Sequence, residues 1–300
     1  MAKLRELGHE VVEQFYEPDQ LGAALREFDA VVVRSKTKIR ANHIDEAKGG
    51  KLKLIIRGGV GVDNIDVAYA EANGISVKNT PRASSNSVAE LALAHMLSCA
   101  RFVSIAGHTM REGKWEKKAY GKGVELGGKT LGVIGYGRIG QALGRMAQGL
   151  GMNVVAYDIY HVEGIECETM HYVTMDELLA QSDVVSLHCP QTEENARMID
   201  AGALAQMKDG AILLNTARGG LLDEQAVADA LRSGKLLAAG MDVVSAEPIR
   251  ADNPLLTAPN CFLTPHIAWA PLETRRRLQA ISAENLRAFL AGKPQNVVNP

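Results

Sequence analysis

The chain has 300 residues, 46% of them hydrophobic, and a formal net charge of −2 from 33 basic and 35 acidic side chains. That length fits roughly two domains, and the interspersed, nearly balanced charge excludes the basic field on which binding to nucleic acid or an anionic membrane depends. No apolar run approaches the roughly 18 residues of a membrane span, no signal-peptide pattern opens the sequence, and Cys99, Cys167, Cys189 and Cys261 are too scattered for a metal site or a disulfide framework, so the reducing cytoplasm is expected.

Residues 3–7 read as the end of a helix, with Gly8 as its cap, and 10–15 read as a strand. An α/β domain ordinarily opens with a strand ahead of such a helix, so the expectation is that this strand is missing, by truncation or start-site choice. Further strands are expected at 30–34, 52–57, 75–78, 130–134, 153–157, 184–188, 211–215, 238–242 and 261–264. Helices are expected at 20–27, 43–47, 67–73, 85–113, 139–150, 175–181, 223–233 and 271–291. This alternation predicts parallel α/β sheets. The stretch 85–113 is long and apolar on most faces, through Val88, Ala89, Leu91, Ala92, Leu93, Ala94, Met96, Leu97 and Ala100. Such a helix is buried, and a symmetric dimer formed on it, with Trp115 just beyond, is expected.

Within this pattern, an apolar strand at 130–134 runs into Gly135-Tyr-Gly137-Arg-Ile-Gly140 and then a helix, and the next strand ends at Asp158. Gly135 permits the tight turn. Gly137 lets the backbone approach a pyrophosphate, and Gly140 lets helix and strand pack closely. The helix start presents free N–H groups and a positive dipole end to phosphates. Asp158, 18 residues after Gly140, stands where a carboxylate grips a ribose 2′-hydroxyl. It would repel a 2′-phosphate, and Ile159 and Tyr160 offer no cation to offset it, so NAD is expected over NADP.

Three later segments carry polar groups at strand ends, where α/β sheets bind ligands: Asn215-Thr-Ala-Arg218, Asp242-Val-Val-Ser-Ala-Glu247, and Thr264-Pro-His266. Read singly, Arg218 is equally a surface ion-pair residue, Glu247 a turn acid and His266 a loop histidine. Read together beside a dinucleotide site, they supply what hydride transfer from a secondary alcohol needs. A histidine takes the hydroxyl proton. A carboxylate orients its ring and stabilises the imidazolium. An arginine holds a substrate carboxylate bidentately.

These segments, with Val31-Val-Val-Arg34-Ser35, Gly59-Val-Gly-Val-Asp63-Asn-Ile-Asp66, Asn79-Thr-Pro81, Val88-Ala-Glu90 and Asn296-Val-Val-Asn299, resemble the D-isomer-specific 2-hydroxyacid dehydrogenase family along essentially the whole chain. The resemblance implies α/β architecture with two Rossmann-like domains. A flavodoxin-like substrate domain takes residues 1–80, an NAD-binding doubly wound parallel sheet takes 81–268, and a helix and tail at 269–300 return to the substrate domain. It implies NAD as cofactor and a small 2-hydroxy acid as substrate, to which the scattered cysteines add no metal and the apolar helix a homodimer. Arg218 would bind the substrate carboxylate and carbonyl, His266 would be the acid and base, and Glu247 its partner. Asp242 would face the nicotinamide carboxamide, and Arg138 and Ile139 the pyrophosphate. Cys189, Pro190, Thr216, Ala217, Arg218 and His266 would line the cofactor. Gly58, Gly59 and Val60 would meet the substrate through backbone N–H groups.

Within that family, Arg34, Ser35, Arg57 and Lys117 point to a phosphorylated substrate held at both ends: 3-phospho-D-glycerate, oxidised to 3-phosphohydroxypyruvate at the entry to serine biosynthesis. The alternative is glycerate and hydroxypyruvate (or glyoxylate) chemistry. His266-Ile-Ala-Trp269-Ala stands in place of the usual Gly-Ala-Ser-Thr ending, and Ser84 stands where asparagine is common. A non-catalytic NAD sensor is a third, less favoured reading. Formate dehydrogenase chemistry is disfavoured because Glu247 stands where those enzymes carry glutamine. The end at Pro300 leaves no regulatory domain to expect.

Overall fold

The computed structural model describes residues 2–6 and 8–299. The backbone divides into two compact units, Met1–Ser84 with Trp269–Pro300, and Ser85–Ala268. The first unit opens with α1 (Ala2–Glu6), whose expected end at Leu7 lies outside the described residues. Residues 10–15, expected as a strand, form none. Val12 and Phe15 are exposed, and alternation alone does not make a strand without a hydrogen-bonding neighbour. Then follow α2 (Pro18–Leu25), β1 (Ala30–Val33), α3 (Ala41–Ala47), β2 (Leu54–Arg57), α4 (Val67–Ala72) and β3 (Ser76–Lys78). Pro18 starts α2 with a ring that fixes φ and gives up an N–H the first turn cannot use. The sheet is parallel in the order β1-β2-β3, with Val31, Ile55 and Val77 in register. Leu21, Leu25, Ile39, Ile44, Ile55 and Val77 form its core.

The second unit begins with α5 (Ser85–Arg101) and α6 (Val103–Arg111), where one helix was expected. The break is at Phe102, whose φ is +55° and whose ring is buried. Burying that ring turns the chain by 67°. Ala89, Ala92, Met96 and Cys99 of α5 sit in this unit's own core, which accounts for the helix's apolar character without a partner. Among the described residues no single helix is long and apolar enough to cross a membrane.

The remaining elements are β4 (Thr130–Ile134), α7 (Arg138–Gly149), β5 (Asn153–Tyr157), β6 (Met170–Tyr172), α8 (Met175–Gln181), β7 (Val184–Leu187), α9 (Ala201–Gln206), β8 (Ala211–Asn215), α10 (Glu224–Ser233), β9 (Leu236–Met241) and β10 (Cys261–Leu263). The seven strands are parallel in the order β10-β9-β8-β7-β4-β5-β6. Side chains alternate between two cores: Leu131, Val133, Val154 and Leu214 face α5 and α7, while Ile134, Val155, Val185 and Leu213 face α8, α9 and α10. A parallel strand covered on both faces must be apolar throughout. The order reverses between β4 and β7, so the loops leaving these strands part there and open a binding crevice.

Back in the first unit, α11 (Leu272–Leu290) leads to a tail stapled to β3. Val298 N–H donates to Val77 O, Asn299 Oδ1 accepts from Val77 N–H at 2.6 Å, and Asn299 Nδ2 donates to Ile75 O at 3.0 Å.

Candidate active site

The glycine turn after β4 is tightly built. Gly135 has φ +92°, and a Cβ there would lie 2.5 Å from Cys189 N. A Cβ on Gly140 would collide with the Gly135 carbonyl, so helix and turn touch only because Gly140 has no side chain. A Cβ on Gly137 would meet nothing within 4 Å. Gly137 is the N-cap of α7, whose first turn receives no side-chain cap. Its leading N–H groups therefore face open space from a positive dipole end, which suits a diphosphate. Exposed Arg138 and half-buried Ile139 lie in that turn.

Asp158 follows β5. Its Oδ2 accepts from Tyr136 N–H at 2.7 Å and its Oδ1 from Tyr160 N–H at 3.0 Å, so the carboxylate ties two loops together and keeps its remaining lone pairs for a ligand. Asp158→Ala should erode the preference for NAD over NADP by about tenfold, because a like charge no longer opposes the 2′-phosphate. The ratio of kcat/KM for the two cofactors reports it, and an unchanged ratio would remove Asp158 from this role. After β7, burial pushes the Cys189 thiol up to about 11, so it lines the site as a neutral wall. Exposed Pro190 follows, its carbonyl accepting from Asn195 Nδ2.

The loop after β8 is held by Asn215, which accepts Ala217 N–H at 2.9 Å and donates to Arg218 O at 2.8 Å. The Arg218 guanidinium donates to Ala217 O at 2.7 Å. Thr216 Oγ1 is buried without a hydrogen-bond partner among the described residues. An orphaned hydroxyl at the end of β8, one strand removed from β4 in the sheet, fits a site built for a polar ligand such as NAD. A Cβ on Gly219 would lie 2.0 Å from Val244 C, so the Arg218 loop rests directly on the loop after β9. That second loop is braced by Glu224, which accepts from Ser245 N–H at 2.7 Å, Ser245 Oγ at 2.6 Å and Asn253 Nδ2 at 2.9 Å. It delivers Glu247.

His266 lies past β10, and its Nδ1 is 2.8 Å from Glu247 Oε2. A carboxylate only accepts, so Nδ1 carries the hydrogen and Nε2 is left as the working nitrogen. His266 has φ +52°, a left-handed conformation that a residue with a Cβ holds only under constraint. The constraint is Asp242. Its backbone carbonyl accepts from His266 N–H at 2.8 Å, its Oδ1 from Ile267 N–H at 2.8 Å and its Oδ2 from Ala268 N–H at 2.9 Å. Asp242 is buried, and these bonds turn its carboxylate into the loop that carries His266. Sequence reading missed this holding function, along with Glu224, Thr264 and Asn253.

In the first unit, Arg34, Arg57 and the Gly58–Val60 backbone gather after β1 and β2. The Arg57 guanidinium donates to Gly58 O at 2.6 Å. The Arg34 guanidinium lies over the Trp269 ring, 3.4 Å from its centroid. Burial, and then the charge of Arg275, hold Arg34 below arginine's ordinary range. Gly58 and Gly59 are buried, while Ser35 and Val60 are exposed. Lys117 lies in the second unit, on an exposed turn.

The family described as D-isomer specific 2-hydroxyacid dehydrogenase, NAD binding domain, matches residues 93–268. The chain is 50% identical over 245 residues to hydroxypyruvate reductase of Blautia hydrogenotrophica, covering 80% of this chain and 76% of the relative. It is 43% identical over 299 residues to D-3-phosphoglycerate dehydrogenase of Archaeoglobus fulgidus, covering 99% of this chain but 56% of that relative's length. Among solved structures, D-lactate dehydrogenase of Aquifex aeolicus, complexed with NAD and lactic acid, superposes with a TM-score of 0.84 at 31% identity, covering 93% of this chain and 89% of that one.

Proposed function

This chain belongs to the D-isomer specific 2-hydroxyacid dehydrogenase family of NAD-dependent enzymes, and from that premise we propose that it interconverts hydroxypyruvate and D-glycerate. The observation that carries the choice of substrate is the stacking of Arg34 on Trp269. With Arg34 on that ring and Arg57 turned onto Gly58 O, two of the cations expected to hold a phosphate are engaged within their own unit. The higher identity to the hydroxypyruvate reductase than to the phosphoglycerate dehydrogenase supports the same choice. A second reading, 3-phospho-D-glycerate, is favoured by Arg275 beside Arg34, since two neighbouring guanidinium groups suit a dianion.

When bound, NADH supplies the hydride to the keto carbon. In that direction protonated His266 gives its Nε2 proton to the carbonyl oxygen, and in oxidation neutral Nε2 takes it back. Glu247 holds the other end of the ring, and Arg218 pairs with the substrate carboxylate. With NADH, kcat/KM for hydroxypyruvate should exceed that for 3-phosphohydroxypyruvate by at least about tenfold, the worth of one charge-assisted contact. The reverse order would hand the assignment to the phosphorylated acid.

The proposed partner is a second copy of this chain. Helix α6 buries no residue, and Val103, Met110 and Trp115 are 61%, 52% and 80% exposed. Apolar side chains in such number are expected to be covered. Sedimentation velocity at micromolar concentration should show a dimer, and Trp115→Glu with Met110→Glu should dissociate it. A wild-type monomer would end this proposal.

A further inference from the structure

We propose that His95, on α5, is a positioning residue for the reaction, holding the His266 loop in place through Thr264 and Asp242. The proposal rests on the assignment of His266 as proton donor and acceptor.

The chain of bonds has a single polarity. Thr264 Oγ1 is 2.6 Å from Asp242 Oδ1 and 3.0 Å from His95 Nε2. A hydroxyl has one hydrogen, and a carboxylate cannot donate. The hydroxyl hydrogen therefore goes to Asp242, and Thr264 accepts from His95 Nε2–H. This fixes His95 as the Nε2–H tautomer with a bare Nδ1. Asp242 Oδ1 thus receives Thr264 O–H and Ile267 N–H, and Oδ2 receives Ala268 N–H. Four groups, from α5, from just past β9, from just past β10 and from the His266 loop, act as one unit. Its product is the left-handed turn at His266.

The surroundings keep His95 where the relay needs it. The ring is buried, and burial lowers its proton affinity, partly offset by the Asp242 charge, so the neutral form with one N–H is favoured. Helix α5 runs against β9, and a Cβ on Gly240 of that strand would lie 2.8 Å from His95 Cβ and 3.0 Å from Nδ1. Glycine at 240 makes room for the ring. A buried histidine that merely filled space would need neither a hydroxyl acceptor nor a glycine opposite. Removing the N–H leaves the Thr264 lone pair unsatisfied and frees its rotamer, so the Asp242 carboxylate loses one restraint and the turn relaxes.

The test compares His95→Leu, which keeps bulk, with His95→Gln, whose Nε2 restores a donor at similar reach, and with Thr264→Val. Kinetics and 15N-histidine spectra of the ligand-free protein are both read. The expected spectrum shows His95 as the Nε2–H tautomer, with its signals shifted in Thr264→Val. His95→Leu and Thr264→Val should each lower kcat about five- to tenfold with KM for NADH nearly unchanged, and His95→Gln should recover most of it. The double variant should be no worse than the poorer single variant, because both cut one chain. Equal kcat for the leucine and glutamine variants, or an Nδ1–H tautomer, would overturn the relay. Should His95→Leu not fold, the glutamine and Thr264→Val variants and the spectrum decide the matter. Full activity in His266→Ala would overturn the catalytic assignment instead, while the tautomer spectrum would still report on the bonds themselves.

Discussion

His266→Ala should lower kcat by about 10²–10⁴-fold in both directions, the usual worth of a positioned acid and base. The dissociation constant of NADH, followed by fluorescence titration, should change little, because the glycine turn and Asp158 stand on β4 and β5 while His266 stands beyond β10. The Glu247 contact sharpens the expectation. A carboxylate permits only the Nδ1–H tautomer, whereas Glu247→Gln offers the ring a donor as well as an acceptor. The ring can then carry its hydrogen on Nε2, the nitrogen that must be bare to take the alcohol's proton. Alcohol oxidation in Glu247→Gln should therefore fall while the fold stays intact. Wild-type oxidation in that variant would show that the pair does not set the tautomer.

Two glycines of the dinucleotide turn should fail in opposite ways. At Gly137 a methyl group points into open space and the backbone angles suit alanine, so Gly137→Ala should keep the wild-type melting temperature. It should lose NAD affinity by roughly 5- to 150-fold, the cost of overpacking against a bound diphosphate. At Gly135 the methyl group meets Cys189 N and His188 C, and the positive φ disfavours any Cβ. Gly135→Ala should lower the melting temperature itself, with NAD binding lost as a consequence. Calorimetry beside NAD titration separates the two. Equal melting temperatures for both variants would refute the distinction.

The strands at 130–134, 153–157 and 211–215 and the helix at 175–181 were legible to the residue, because doubly covered parallel strands are unbroken apolar runs and Thr174 with Glu177 writes a capping box ahead of α8. Strand β6 was not legible: its three residues, Met-His-Tyr, carry no apolar run, and pairing with β5 alone makes it a strand. Helix α9 is too short for a periodic signal. The split at Phe102 follows from where one ring is buried, which no local pattern encodes. The chemistry divides the same way. Gly135, Gly137, Gly140 and Asp158 announce themselves by spacing. The His95–Thr264 bond joins residues 169 apart and has no spacing to read. Arg34 was legible as a cation, but its place on Trp269 was not, since those residues meet only through the fold.

Asn299 fastens β3 from a position 222 residues further along the chain. On the ribosome this inverts the order of manufacture and the order of completion. The second unit, Ser85–Ala268, has all its strands once residue 268 is made, while the first unit still lacks α11 and its tail. At roughly 5–20 residues per second, the remaining stretch takes a few seconds to synthesise, and longer to leave the tunnel. Throughout that interval Val77 N–H and Ile75 O lack the partners that Asn299 supplies. Of the two units, the one begun earlier is thus sealed later, and until Asn299 arrives the β3 edge is open to pairing with another chain.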